Sequence, residues 1–142
     1  MAASPTPAPI ARLLDSSALA LLARVALTCA FWWGGLAKLA DLAGARAEAA
    51  HFFGPGPALP IAIATIAVEV VASGLLIAAR LEWLAAGALG VFTAIATWIA
   101  HDFWNATNPA DHFREFNTFL EHTGLIGGLA LAAILARRTR DE

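Results

Sequence analysis

Glu69 is the residue of this chain whose type and place most demand a chemical account. It stands near the middle of Pro60–Ala79, a run with no other charged side chain and enough length to cross a bilayer. An ionised carboxylate at that depth is costly unless it is protonated, paired or hydrated, so its presence is by default a mark of function. Arg24 is the first candidate partner. At about 1.5 Å per residue, Arg24 lies roughly 10 Å in from one end of the first apolar run and Glu69 roughly 14 Å in from the opposite end of the second, depths that allow an ion pair. Such a pair is either a structural clasp or part of a ligand or proton path, and the residues alone do not choose between them. Lys38 stands at the far end of the first run, where a lysine equally well snorkels to the interface.

The densest chemistry is Trp98-Ile99-Ala100-His101-Asp102-Phe103-Trp104-Asn105, followed by Asp111-His112-Phe113-Arg114-Glu115-Phe116-Asn117. An imidazole beside a carboxylate exchanges protons near neutral pH. Aromatic faces interleaved with hydrogen-bond donors suit a flat, carbonyl-bearing ring of the quinone kind. The plain alternative is an amphipathic interfacial segment whose His, Asp and Asn cap helix ends. No two histidines have the His-x-x-x-His spacing of a helical zinc site, so a metal held by His51, His101, Asp102, His112 and His122 is not expected. Haem on His101 and His122 is disfavoured by their places at helix ends. The single cysteine, Cys29, excludes an intramolecular disulfide and a Cys-x-x-Cys centre, so any electron transfer would run through a bound cofactor or partner.

These groups must be positioned by a membrane protein. Of the 142 residues 59% are hydrophobic and only 14% charged, with a mean hydropathy of +0.68, too little polar surface to coat a globule in water. The net charge of −2 and the absence of a Lys/Arg run before the C-terminus give no nucleic-acid footprint. Apolar runs of spanning length occur at Ser17–Leu39, Ala58–Ala79, Trp83–Ala100 and Phe119–Ala136, which predicts an all-α bundle of four transmembrane helices. Residues 1–14 read as a disordered Ala/Pro/Ser-rich tail, 15–136 as one transmembrane domain and 137–142 as a basic tail. The first run is broken by Arg24 and is too long for a cleaved signal, so it is expected to be retained. Arg80-Leu81-Glu82 reads as a tight turn, and Asp41–Gly56 and His101–Asn117 as long loops.

With both termini on one side, that side carries Arg12, Arg80, Arg137, Arg138 and Arg140 against Lys38, Arg46 and Arg114, which favours cytoplasmic termini in a bacterial-type inner membrane. The long loops and all four histidines then belong to the outer half. Trp32 and Trp33 suit an interfacial aromatic belt. At 100° per residue each span shows one polar or small-residue face: Arg24, Thr28, Gly35, Lys38; Thr65, Glu69, Ser73; Gly90, Thr93, Thr97, His101; Asn117, Glu121, Gly124, Gly128. Polar faces turned toward each other and away from lipid are expected of such a bundle, although Thr, Ser and Gly also serve close packing alone.

Arg24-Val25-Ala26-Leu27, Phe31-Trp32-Trp33-Gly34-Gly35-Leu36-Ala37-Lys38-Leu39, Pro60, Glu69 and His101-Asp102-Phe103-Trp104-Asn105, with the fourth span from Phe119, together resemble the DoxX family of small four-helix membrane proteins. The family is linked with quinone-dependent oxidoreductase systems, including the DoxD-type subunit of thiosulfate:quinone oxidoreductase. The resemblance implies ligand contacts at Arg24, Lys38, Glu69, His101, Asp102, Trp104 and Asn105 and a quinone as the ligand. The expected function is a redox-linked subunit holding a quinone-like lipophilic ring in a polar cavity at the outer half. The lipid bilayer, a membrane oxidoreductase subunit or a second copy of the chain would be its partners. The alternative is a non-catalytic membrane partner that assembles a larger complex through Gly124-Leu125-Ile126-Gly127-Gly128, whose small-xxx-small spacing suits close helix contact.

Overall fold

In the computed structural model, residues 6–138 are described and every element among them is helical. Residues 1–5 of the expected disordered tail and 139–142 of the basic tail lie outside the described residues. Ala8–Leu14 is a helix, α1, where disorder was expected. Pro9 in its first turn accounts for this, since proline lacks only an N–H that no helix N-terminus can use.

The first expected span is two helices, α2 (Ser17–Leu27) and α3 (Cys29–Ala40), bent by 54° at Thr28. Ser16 starts α2 by accepting a hydrogen bond from the Leu19 N–H. At the bend the fully buried Thr28 turns its hydroxyl back on its own chain, donating to the Arg24 carbonyl at 2.7 Å. Back-bonding of this kind bends helices. Trp32 Nε1 donates to the Val25 carbonyl at 3.3 Å, so this indole secures the bend, whereas Trp33 is 69% exposed on the helix surface.

Asp41–Gly56, expected to be a loop, is largely the helix α4 (Leu42–Phe53). Its alanine-rich run favours helix, Asp41 accepts the Gly44 N–H at 2.9 Å as its N-cap, and Gly54 ends it with a φ of +80°. The Gly-Pro-Gly-Pro punctuation therefore stops a helix and does not mark the whole segment as irregular. The second span is α5 (Ala58–Ala67), a π-helical turn (Val68–Ala72) and α6 (Ser73–Ile77). A tight turn with Ala79 and Leu81 in the left-handed region leads into α7 (Glu82–Ala100). A 3-10 turn at Phe103–Asn105 precedes α8 (Pro109–Arg138), which begins well before Phe119 and takes up half of the second expected loop.

Ala58–Ile77, Glu82–Asn105 and Pro109–Arg138 are long and apolar enough to cross a membrane, and the bent α2–α3 pair makes a fourth span if it crosses as one. One buried cluster joins Phe31 of α3, Leu76 of α6, Leu89 of α7 and Leu129 of α8. A second is made mainly of alanine, Ala45 and Ala49 of α4 against Ala58, Ala62 and Ile66 of α5. Side chains this small let α4 and α5 approach closely where lipid offers no hydrophobic drive. Together the clusters leave a hollow between α3, α4, α5, α7 and α8.

Candidate functional site

Glu69 sits in the π-helical turn of the second span, 6% exposed, and its partner is Lys38. Lys38 Nζ lies 3.1 Å from Oε1 and 3.2 Å from Oε2, donating to both oxygens of the carboxylate. The Arg24–Glu69 pairing expected from depth is not formed. Arg24 instead meets Glu82, the first residue of α7, at 3.5 Å. The reason is the bend at Thr28: the depth argument assumed one straight helix, and of its two halves it is α3 that packs against the π-helical turn, with the flexible lysine stem carrying the ammonium to Glu69. A π-helical turn inserts one extra residue per turn and is often found at functional sites, where it turns a side chain away from the register of its helix.

The pair lines a cavity of about 450 Å³. Phe31, Phe52, Phe53, Phe92 and Ile95 make its walls mostly apolar, and its polar groups are Lys38, Glu48, Thr65, Glu69, Thr93, His101 and His122. His101, at the C-cap of α7, holds Glu115 of α8, with Nδ1 2.8 Å from Oε2. His122 Nδ1 lies 2.8 Å from the buried Thr97 hydroxyl, and the two imidazoles stand edge to face with centroids 5.0 Å apart. A cavity of this size, apolar with a few convergent polar groups, has the make-up of a small-molecule site.

Of the residues expected to contact a ligand, the structure brings Lys38, Glu69 and His101 to this cavity. Arg24 does not line it, and neither do Asp102, Trp104 and Asn105. Asn105 donates to Asp102 at 3.0 Å across the 3-10 turn, and Trp104 packs on Trp98 and Phe103 with centroids 4.9 and 5.0 Å away. Phe103 is the hub of that cluster, meeting His112, Phe116 and Phe119 edge-on, so the segment's aromatics largely pack on one another. Glu48 went unassigned because its helix read as a loop. Glu115 was visible in the motif but had no partner until α7 and α8 were placed side by side. Among the described residues no group of His, Cys, Asp and Glu could hold a metal ion, and Cys29 is free and exposed.

A family model described as DoxX matches residues 19–102, from the bent first span through α4 and Glu69 to the end of α7. The match covers Lys38, Glu48, Glu69 and His101, whereas Glu115 and His122 lie beyond it. No curated protein and no solved structure matches the chain.

Proposed function

Because the chain belongs to the DoxX family, we propose that it is a membrane-embedded, redox-linked subunit that holds a quinone-like ring in the cavity between α3, α4, α5, α7 and α8. The observation that carries this reading is the cavity itself: aromatic and aliphatic walls for the ring, with the Lys38–Glu69 pair and two imidazoles among its linings as hydrogen-bonding groups for ring oxygens. A membrane oxidoreductase partner would supply or remove the electrons. We place the protein in a bacterial-type inner membrane with cytoplasmic termini, which puts His101 toward the outer face. A reporter fused after Glu142 should then be cytoplasmic and one inserted near Ala110 external, as read by compartment-specific activity. The reverse pattern would turn the site toward the cytoplasm.

The binding test fills the cavity without touching its polar groups. Ala96 lines it, so Ala96→Trp is expected to weaken equilibrium binding of a short-tailed naphthoquinone to the purified protein by about tenfold or more, ~1.4 kcal/mol. Trp104→Ala, outside the cavity, should leave binding within about threefold, under ~0.7 kcal/mol. Equal binding in all three proteins would remove the cavity from the account.

One observation favours the assembly reading. Few residues of α8 are fully buried, and a Cβ added at Gly124 or Gly127 would meet nothing within 4 Å. Gly128 is turned inward, where an added Cβ would stand 3.2 Å from Leu27, so the open surface belongs to Gly124 and Gly127. If the wild type binds no quinone and holds a membrane partner that Gly127→Leu releases, that reading replaces the first.

A further inference from the structure

We propose that Glu115 is a positioning residue that makes His101 the proton acceptor for a ring hydroxyl in the cavity, so that the site takes the reduced, hydroxyl-bearing form of its ligand. The inference rests on the reading of the cavity as a ring-binding site, and it adds the ligand's chemical state and the group that receives its proton.

Both oxygens of the Glu115 carboxylate are committed. Oε2 lies 2.8 Å from His101 Nδ1, and Oε1 accepts from Arg114 Nε and Nη2, each at 3.2 Å. A carboxylate held by a guanidinium is an acceptor only, so the His101 nitrogen facing it must carry a proton. In the neutral ring that leaves the lone pair on Nε2, and His101 lines the cavity. His122 lacks this arrangement, since its Nδ1 faces the Thr97 hydroxyl, which can donate or accept. The two cavity imidazoles are therefore unequal, and His101 is the one preset as a base.

A hydroxyl on a ring in the cavity would donate to Nε2. On transfer the ligand O–H bond breaks and an N–H bond forms at Nε2. The electron pair of the broken bond stays on the ligand oxygen, leaving an oxyanion, and the imidazolium is held against the Glu115 carboxylate. No electron leaves the ligand in this step. Lys38, paired with Glu69, lines the same cavity. Arg114 is well exposed, so the dyad connects the cavity lining with the surface at that end of the bundle, where the proton departs.

The probe is an alkyl-substituted 4-nitrophenol, whose phenolate absorbs in the visible and whose phenol does not. It is added to the purified full-length protein about one pH unit below the probe's own pKa, where roughly a tenth is ionised in free solution. Bound to wild type, the phenolate fraction is expected to rise about fivefold or more above that of the free probe. Glu115→Gln keeps an oxygen for the Nδ1–H but removes the charge, and His101→Gln removes the base. Each should return the bound spectrum to within about twofold of the free one while the probe still binds. A merely structural tie between α7 and α8 would not move that spectrum in a folded variant, and circular dichroism checks the fold. If wild type and both variants bind the probe with the same phenolate fraction, the inference fails and the ring-binding reading stands. If wild type binds neither probe nor quinone, the ring-binding reading falls and takes the inference with it. If Glu115→Gln does not fold, His101→Gln decides whether His101 is the base, and Glu115→Asp, whose shorter stem withdraws the carboxylate from Nδ1, decides whether Glu115 makes it one: a bound spectrum unchanged from wild type overturns the positioning role.

Discussion

Lys38→Met and Glu69→Leu, made singly, are each expected to lower stability in detergent by about 3–5 kcal/mol, and the double variant Lys38→Met/Glu69→Leu by clearly less than their sum. Removing one partner of an ion pair inside the bundle strands the other where the surroundings cannot hydrate it; removing both leaves an apolar contact. The two single variants should not be equal. The Glu69 side chain is 7% exposed and that of Lys38 is 22% exposed, so a stranded carboxylate is the more enclosed of the two, and the long lysine stem can swing aside where the shorter carboxylate cannot. Lys38→Met should therefore be the more damaging. Arg24→Gln breaks a contact whose partners are 25% and 30% exposed, and it should cost less than about 1 kcal/mol and add to Glu69→Leu without coupling. Thermal and denaturant unfolding of the set in one detergent settles the pairing. A measured coupling between Arg24 and Glu69, with none between Lys38 and Glu69, would reverse it.

The identity of Glu69's partner shows where residue patterns stop being informative. Charge inside an apolar run is a local property and is legible; depth along a helix is legible only if the helix is straight. Thr28 breaks that premise with one hydrogen bond from its side chain to the Arg24 carbonyl, and threonines in membrane helices are too ordinary to announce it. The π-helical turn is equally silent, because Glu69 marks a charge and not a change of helix type, and the rest of Val68-Glu69-Val70-Val71-Ala72 has the composition of an ordinary apolar helix. The polar faces of the first three spans fared better. Lys38, Thr65, Glu69, Thr93 and His101 do line one cavity, since a residue's face depends on the 3.6-residue period over one or two turns and a distant bend leaves it unchanged. The fourth face is not turned toward the cavity: Glu121 and Gly124 are exposed, and α8 meets the cavity through His122 and Leu125.

The densest motif was the least reliable guide. Asp102, Trp104 and Asn105 sit in or beside a three-residue 3-10 turn that directs them to one another and to Trp98, while the less conspicuous Glu115 completes the geometry of His101. Proximity in sequence groups His101 with residues that do not share its cavity. Glu48 was missed for a related reason: glycines and prolines at 54–57 coloured a segment whose alanines, Asp41 cap and Gly54 stop make a helix. Spans and faces are written in composition and period, whereas the partners across the cavity are written in the packing of α3 on the π-helical turn and of α7 on α8.

That packing predicts the second large effect, which turns on a single methyl group. A Cβ added to Gly35 would stand 2.7 Å from Val70 Cγ2, 3.0 Å from Glu69 Cβ and 3.4 Å from the Val70 backbone nitrogen. Gly35→Ala is not readily absorbed by one side chain, because Val70 is β-branched and stiff and Glu69 Cβ is fixed to the backbone of the π-helical turn. Helix α3 must move off that turn, with an overpacking cost of about 1–3 kcal/mol, and Lys38, one turn further along α3, is carried away from Glu69. Gly34 is the control built into the sequence. A Cβ there would meet Lys38 Nζ at 3.7 Å and the Glu69 oxygens at 3.8 and 3.9 Å, ordinary contacts, and alanine favours helix over glycine by about 0.5–1 kcal/mol. Gly34→Ala should be neutral or stabilising. Gly35→Ala should lose stability and weaken naphthoquinone binding by about tenfold, ~1.4 kcal/mol, because the ammonium leaves the cavity wall. Two adjacent glycine-to-alanine changes with the same chemistry and opposite outcomes would be hard to explain by general helix effects. Identical behaviour of the two would mean that α3 does not rest on the π-helical turn at Gly35, and the Lys38–Glu69 geometry would then lose its support.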